Sequence, residues 1–128
     1  MNLRLAALCV AALVLPAPAG AATGLRVTFS APTHTPKAGA KLFYVVHATR
    51  GGRPVRATIT TQIVDPIGGV HAVELRDTHR LVTNYPFTGV FRDFVRVPPE
   101  AQGVRLTLRV TVKSAGARRV LSFWVRAR

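Results

Sequence analysis

Along most of this chain apolar and polar residues alternate one by one. Leu106, Leu108, Val110 and Val112 interleave with Thr107, Arg109, Thr111 and Lys113, and Val55, Ala57, Ile59 and Ile63 interleave with Arg56, Thr58, Thr60 and Gln62. A period of two puts one set on each side of an extended backbone, so these runs read as half-buried strands, and their β-branched and aromatic content agrees. Strands are predicted over Leu25–Ser30, Lys41–Thr49, Pro54–Val64, Val70–Arg76, Phe87–Val97, Val104–Ala115 and Arg118–Ala127, with a shorter one near Arg80–Thr83. Glycine and proline punctuate them at residues 36–39, 51–52, 65–69 and 98–103. Seven or eight short strands spaced in this way predict an all-β fold of two packed antiparallel sheets. No internal repeat and no low-complexity linker divides the chain.

The last two strands are specific enough to predict a register. With Gly116-Ala117 as the central pair of a two-residue turn, Val112 falls opposite Leu121, Val110 opposite Phe123, Leu108 opposite Val125 and Arg109 opposite Trp124. One face of the hairpin is then apolar and the other mostly Thr, Ser and Arg, and a slip of one residue would turn the apolar set to water. The run from Phe87 to Val97 is the stretch that fits worst. Strict alternation puts Asp93 on the side of Phe91 and Val95, where an unpaired carboxylate costs several kcal/mol. A bulge, or a wet edge with an arginine partner such as Arg92 or Arg96, is the expected resolution.

The amino terminus departs from this pattern. Met1-Asn2-Leu3-Arg4 is a short positive start, Leu5 to Leu15 is an unbroken run of eleven apolar residues, and Pro16 to Ala22 is small and helix-breaking. That layout predicts a secretory signal over residues 1–22, removed near Ala22, and a single folded domain over 23–128. Eleven apolar residues fall short of the ~20 that cross a bilayer, so no transmembrane anchor is expected. Cys9, the only cysteine, lies inside that run and would leave with it. The expected location is secreted or periplasmic, with no thiol and no disulfide in the mature chain.

Three consecutive features resemble secreted bacterial immunoglobulin-like domains: the turn Pro36-Lys37-Ala38-Gly39, the strand residues Phe43-Tyr44-Val45-Val46, and Gly51-Gly52-Arg53-Pro54-Val55-Arg56-Ala57-Thr58-Ile59. The resemblance covers about a quarter of the mature chain. It implies that the two-sheet sandwich is immunoglobulin-like, and its motif is structural, so it implies no active site. The antibody-type cysteine pair is absent, and Trp124 stands in the final strand. Related opening segments occur in copper-associated periplasmic domains and in adhesive or scaffold modules.

Candidate chemistry is sparse. There is no Gly-x-Ser-x-Gly elbow, and the three serines after residue 22 are Ser30, Ser114 and Ser122. Asp77 and His79 stand close in Arg76-Asp77-Thr78-His79-Arg80, but alternating charge of this kind reads as a solvated loop, so no catalysis and no cofactor are expected. Four histidines, His34, His47, His71 and His79, are available as nitrogen ligands. His71 and His79 are the metal-ligand candidates of the alternative reading, a periplasmic Cu(II)- or Zn(II)-binding domain. His71 and Glu74 cannot form a local motif, because strand residues three apart face opposite ways.

Charge is the remaining signal. Eighteen Lys and Arg stand against five Asp and Glu, a formal charge of +13, and past residue 22 fourteen of the seventeen cations are arginine. Such a field draws polyanions, and guanidinium forks onto carboxylate, sulfate or phosphate. A GC-rich genome also supplies arginine as the default surface cation, so charge alone names no ligand. Alternation places Arg56, Arg105, Arg109, Arg126 and Trp124 on one outer sheet face with threonines between them. These five residues are the predicted binding site of a non-catalytic envelope module whose partner is an anionic envelope polymer or an envelope protein. Specific nucleic-acid recognition is not expected, since no base-reading module is visible.

Overall fold

The computed structural model describes residues 24–128. The predicted secretory signal, its cleavage site and Cys9 lie outside the described residues. Nine strands form two antiparallel sheets packed face to face: β1 (Leu25–Ser30), β2 (Lys41–Arg50), β3 (Arg53–Pro54), β4 (Arg56–Val64), β5 (Val70–Ala72), β6 (Tyr85–Thr88), β7 (Val90–Arg96), β8 (Arg105–Ser114) and β9 (Ala117–Arg126). In the first sheet β2 is central, with β1 along one edge and β3 and β7 in line along the other. In the second, β4 carries β5 and β6 on one edge and β8 then β9 on the other. The all-β, two-sheet sandwich expected from alternation is present.

The core is the meeting of the two inner faces. Leu42, Val46, Ala48 and Phe91 of the first sheet pack with Ile59, Leu108, Val110 and Val112 of the second. Each such side chain, fully removed from water, contributes about 1.5–3 kcal/mol, less for alanine. Two polar bridges also join the layers. Tyr44 Oη lies 2.9 Å from Thr61 Oγ1, and Arg50 Nη2 donates to Ser114 O at 3.1 Å.

Two predicted strands are split because the chain changes sheets inside them. Phe87–Val97 becomes β6 in the second sheet and β7 in the first, with Gly89 between them at φ +71°. A Cβ on Gly89 would stand 2.8 Å from Pro54 Cβ, so glycine alone fits this crossing. Pro54–Val64 likewise divides at Val55. The two crossings touch: Gly89 N donates to Val55 O at 3.0 Å, and Val55 N and Ala48 N donate to Ala48 O and Gly89 O. The predicted strand over Val70–Arg76 is shorter than expected. It ends at Ala72, and a 3-10 turn follows at Leu75–Asp77, where Arg76 and Asp77 both take left-handed backbone angles.

Asp93 follows neither expected resolution. The β2–β7 ladder runs without a bulge from Val90 to Arg96, and Asp93 is only 3% exposed. Its partners are not guanidinium groups. Oδ1 accepts from the backbone N–H of Arg76 at 3.0 Å, and Oδ2 accepts from Tyr44 Oη at 3.2 Å. With the Tyr44 proton committed to Asp93, the Thr61 hydroxyl donates to Tyr44 and completes a satisfied buried chain. Burial pushes the Asp93 carboxyl above its ordinary range, against the hydrogen bonds that favour its charged form, and burial likewise pushes the Tyr44 phenol up.

The final hairpin keeps its predicted faces and corrects its register. Its turn is centred on Ala115 and Gly116, at φ +45° and +80°, the pair of positive angles that lets a two-residue turn follow strand twist. Leu108 therefore faces Phe123 and Val110 faces Leu121, while Thr107, not Arg109, faces Trp124. Residues 34–38 cover the C-terminal end of the free edge of β9. Arg126 N donates to His34 O at 2.7 Å, Arg128 N to Pro36 O at 3.0 Å, and Ala38 N to Arg128 O at 3.0 Å.

Candidate binding faces

The outer face of the second sheet holds all five predicted binding residues, but it does not gather them into one place. Arg105 and Arg126 are register partners at one end, and Trp124 lies in the next row opposite Thr107. Trp124 is 40% exposed, and the Arg105 guanidinium carbon sits 5.0 Å from its ring centroid. Arginine over indole at this distance is a cation–π contact. Arg109, predicted to lie opposite Trp124, is thus replaced at the ring by Arg105, a consequence of the turn position. Arg109 instead reaches across the sheet, where Nη2 donates to Gln62 Oε1 at 2.8 Å. Arg56 pairs with Thr88 and lies beyond the Thr58–Lys113 row. Eight residues of β8, roughly 27 Å at the rise of an extended strand, separate Arg105 from Lys113, so Arg56 belongs to the opposite end.

His34 supports the indole from the edge. Its ring stacks on Trp124 at 4.2 Å and on Phe123 at 4.0 Å, and Nδ1 lies 2.6 Å from Trp124 O. The cluster Arg105–Trp124–Arg126 is therefore backed by aromatic packing rather than carried on a mobile loop.

Among the described residues no three His, Cys, Asp or Glu side chains come together as a metal would require. His71 Nε2 lies 2.9 Å from Asp65 Oδ2, and Asp65 Oδ1 accepts from the N–H groups of Ile67 and Gly69. The His71 hydrogen bond comes first among the causes that hold the Asp65 carboxyl below its ordinary value. His79 is exposed in the turn after Asp77, and Asp77 is engaged by Arg96 Nη2 at 2.6 Å.

Sequence reasoning passed over the outer face of the first sheet. Pairing of β2 with β7 sets Phe43 opposite Phe94, Lys41 opposite Arg96 and Val45 opposite Arg92. The two phenyl rings lie 5.4 Å apart, Phe43 is 58% exposed, and Lys41 Nζ stands 4.5 Å from the Phe94 centroid. The signal was present as an apolar residue at an outward position in each strand, but only the pairing of two distant strands brings them together.

No protein-family profile matches the sequence, and no curated protein matches it either. Among solved structures the chain is similar to a DUF4426 family protein from Pseudomonas aeruginosa PAO1, with 18% identity, a TM-score of 0.49, and coverage of 78% of this chain and 86% of that one. It is also similar to part of a family 123 glycoside hydrolase from Clostridium perfringens, with 10% identity, a TM-score of 0.48, and coverage of 82% of this chain but only 27% of the hydrolase. Neither similarity carries a residue or an activity across.

Proposed function

We propose that the chain is an exported, non-catalytic binding module of the bacterial envelope, immunoglobulin-like in family, whose second-sheet outer face takes an anionic polymer. The observation that carries this reading is the cluster of Arg105, Arg126 and the half-exposed Trp124. It stands on a chain of formal charge +13. Guanidinium groups supply forked hydrogen bonds to sulfate, phosphate or carboxylate, the indole offers a flat face to a sugar ring, and Thr107 lies beside it as a further hydroxyl. Arg109 is held by Gln62 and Arg56 is remote, so the site centres on the first three.

The test uses protein purified from the extracytoplasmic fraction of its native cells, with immobilised heparin as the probe. The expected result is an amino terminus near Ala22 and binding that drops about tenfold or more in Arg105→Ala with Trp124→Ala, while Arg56→Ala changes it little. An intact start at residue 1 would remove the export half of the reading. Equal heparin binding by the double variant would remove the face.

A further inference from the structure

The strongest unassigned feature lies on the opposite sheet, where a strained turn meets the edge of β7. Arg76 and Asp77 hold left-handed backbone angles, φ 47° and 56°, that side-chain-bearing residues seldom adopt. Three contacts enforce them: the Asp93 carboxylate accepts from Arg76 N–H, Asp77 pairs with Arg96, and Arg76 Nη2 donates to Arg92 O at 3.0 Å. Strain of this kind persists only where the surroundings over-determine it, and it marks places where a side chain must be held in position. Here the side chain held is the Arg76 guanidinium, placed beside Arg92. The Arg92 guanidinium itself makes no hydrogen bond or ion pair among the described residues.

Arg76 and Arg92 stand between two clefts with aromatic walls. One, of about 340 Å³, is lined by Phe43, Phe94, Asp93 and the two arginines. The other, of about 270 Å³, adds Tyr85, Phe87 and Val90 beside the same two arginines. These volumes fall near the lower end of small-molecule sites, roughly 300–1,000 Å³. Among the described residues Asp93 is the only carboxylate lining either cleft, and it is engaged in the core; Asp77 is held by Arg96, and Glu74 lines a separate recess with Asp77. Two cations beside exposed rings, with no unengaged acid in the lining of either cleft, complement a ligand that is anionic at one end and apolar at the other.

We infer that the Arg76–Arg92 cleft binds a single amphiphilic anion, one carboxylate or phosphate group on an apolar body, with the anion on the guanidinium groups and the body against Phe43 and Phe94. This site lies on a different face from the proposed polymer site and does not rest on it. Buried Asp93 acts here as a positioning residue: it fixes the turn that carries Arg76.

The test is calorimetric titration with dodecyl phosphate below its micellar concentration. Saturable one-site binding is expected, about tenfold or more weaker in Arg92→Ala and in Phe43→Ala, partly restored in Arg92→Lys, and unchanged in Trp124→Ala. Arg92 and Phe43 are both exposed, so an unchanged thermal transition in these variants confirms that the fold is intact. Inorganic phosphate and dodecyl maltoside, which carry the anion and the apolar chain separately, are expected to bind far more weakly. Equal binding of dodecyl maltoside, or unchanged affinity in Arg92→Ala, overturns the site. Binding to phosphatidylglycerol vesicles without binding of monomeric dodecyl phosphate also overturns it, and would assign the face to a membrane surface instead.

Discussion

The two outer faces of this sandwich carry the same kind of charge and surround it with different chemistry. On the second sheet Arg105 and Arg126 stand among threonines and one supported indole, and the face is rich in hydroxyl groups. On the first, Lys41, Arg92 and Arg96 surround a pair of phenyl rings, and the turn at Leu75–Asp77 raises a wall that creates clefts beside β7. Net charge cannot separate these faces, because arginine is spread over both. What separates them is the residue between the cations: a threonine leaves room for water and for a polymer's hydroxyl groups, whereas a phenylalanine rewards a ligand that sheds water.

The largest effect that would break this comparison comes from the one buried acid. Asp93→Ala leaves the Arg76 amide and the Tyr44 hydroxyl without their acceptor, at a cost of about 2–3 kcal/mol of stability in urea unfolding. Released from Asp93, the turn should also lose its grip on dodecyl phosphate while heparin binding at the second sheet stays constant. Parallel loss at both faces would mean that Asp93 supports the whole sandwich rather than the turn.

Salt should separate the faces next. Two ion contacts to a polyanion, from Arg105 and Arg126, predict a fall in heparin affinity on the order of tenfold between about 50 and 200 mM salt. The amphiphile should lose much less over the same range, since burial of its apolar body is not screened. Identical slopes would erase the distinction between a polymer face and an amphiphile cleft.

The subtlest contrast is in pH. Burial raises the folded-state pKa of Asp93, so the folded chain holds that proton more tightly than the unfolded one. Its contribution to stability is therefore present below the ordinary carboxylate value and is lost as pH rises through the folded value. Asp65 has the opposite sign: held low by His71, it stabilises above the ordinary carboxylate value and the benefit is lost as pH falls. Unfolding midpoints measured from about pH 3 to 8 should decline less on the alkaline side in Asp93→Asn than in the parent chain. Curves that stay parallel would refute the assignment to Asp93.

Local alternation made much of this architecture legible. The hairpin faces survived a wrong turn position because moving the turn centre by one residue changes each pairing by two, and a shift of two leaves every side chain on its side of the sheet. Arg105, Trp124 and Arg126 could thus be placed on one face before their contacts were known. The crossing at Gly89 could not be read, since Tyr85, Phe87, Phe91, Asp93 and Val95 keep one unbroken alternation while the chain passes from one sheet to the other. Inward is inward in either layer. Asp93 looked anomalous for the same reason, because its partners, Tyr44 and the Arg76 amide, lie far away in sequence and on other elements. The Phe43–Phe94 pair was equally hidden, as it exists only through the pairing of β2 with β7.

The segment at residues 34–38 has a consequence for how molecules of this protein meet one another. By laying its own backbone along the C-terminal end of β9 it occupies the Arg126 amide and the Arg128 amide and carbonyl, which would otherwise template a strand from a neighbouring chain. The layer that presents Trp124 is thereby capped at one end of its rim, and crowded copies are kept from adding a strand at that end while the indole stays open to solution.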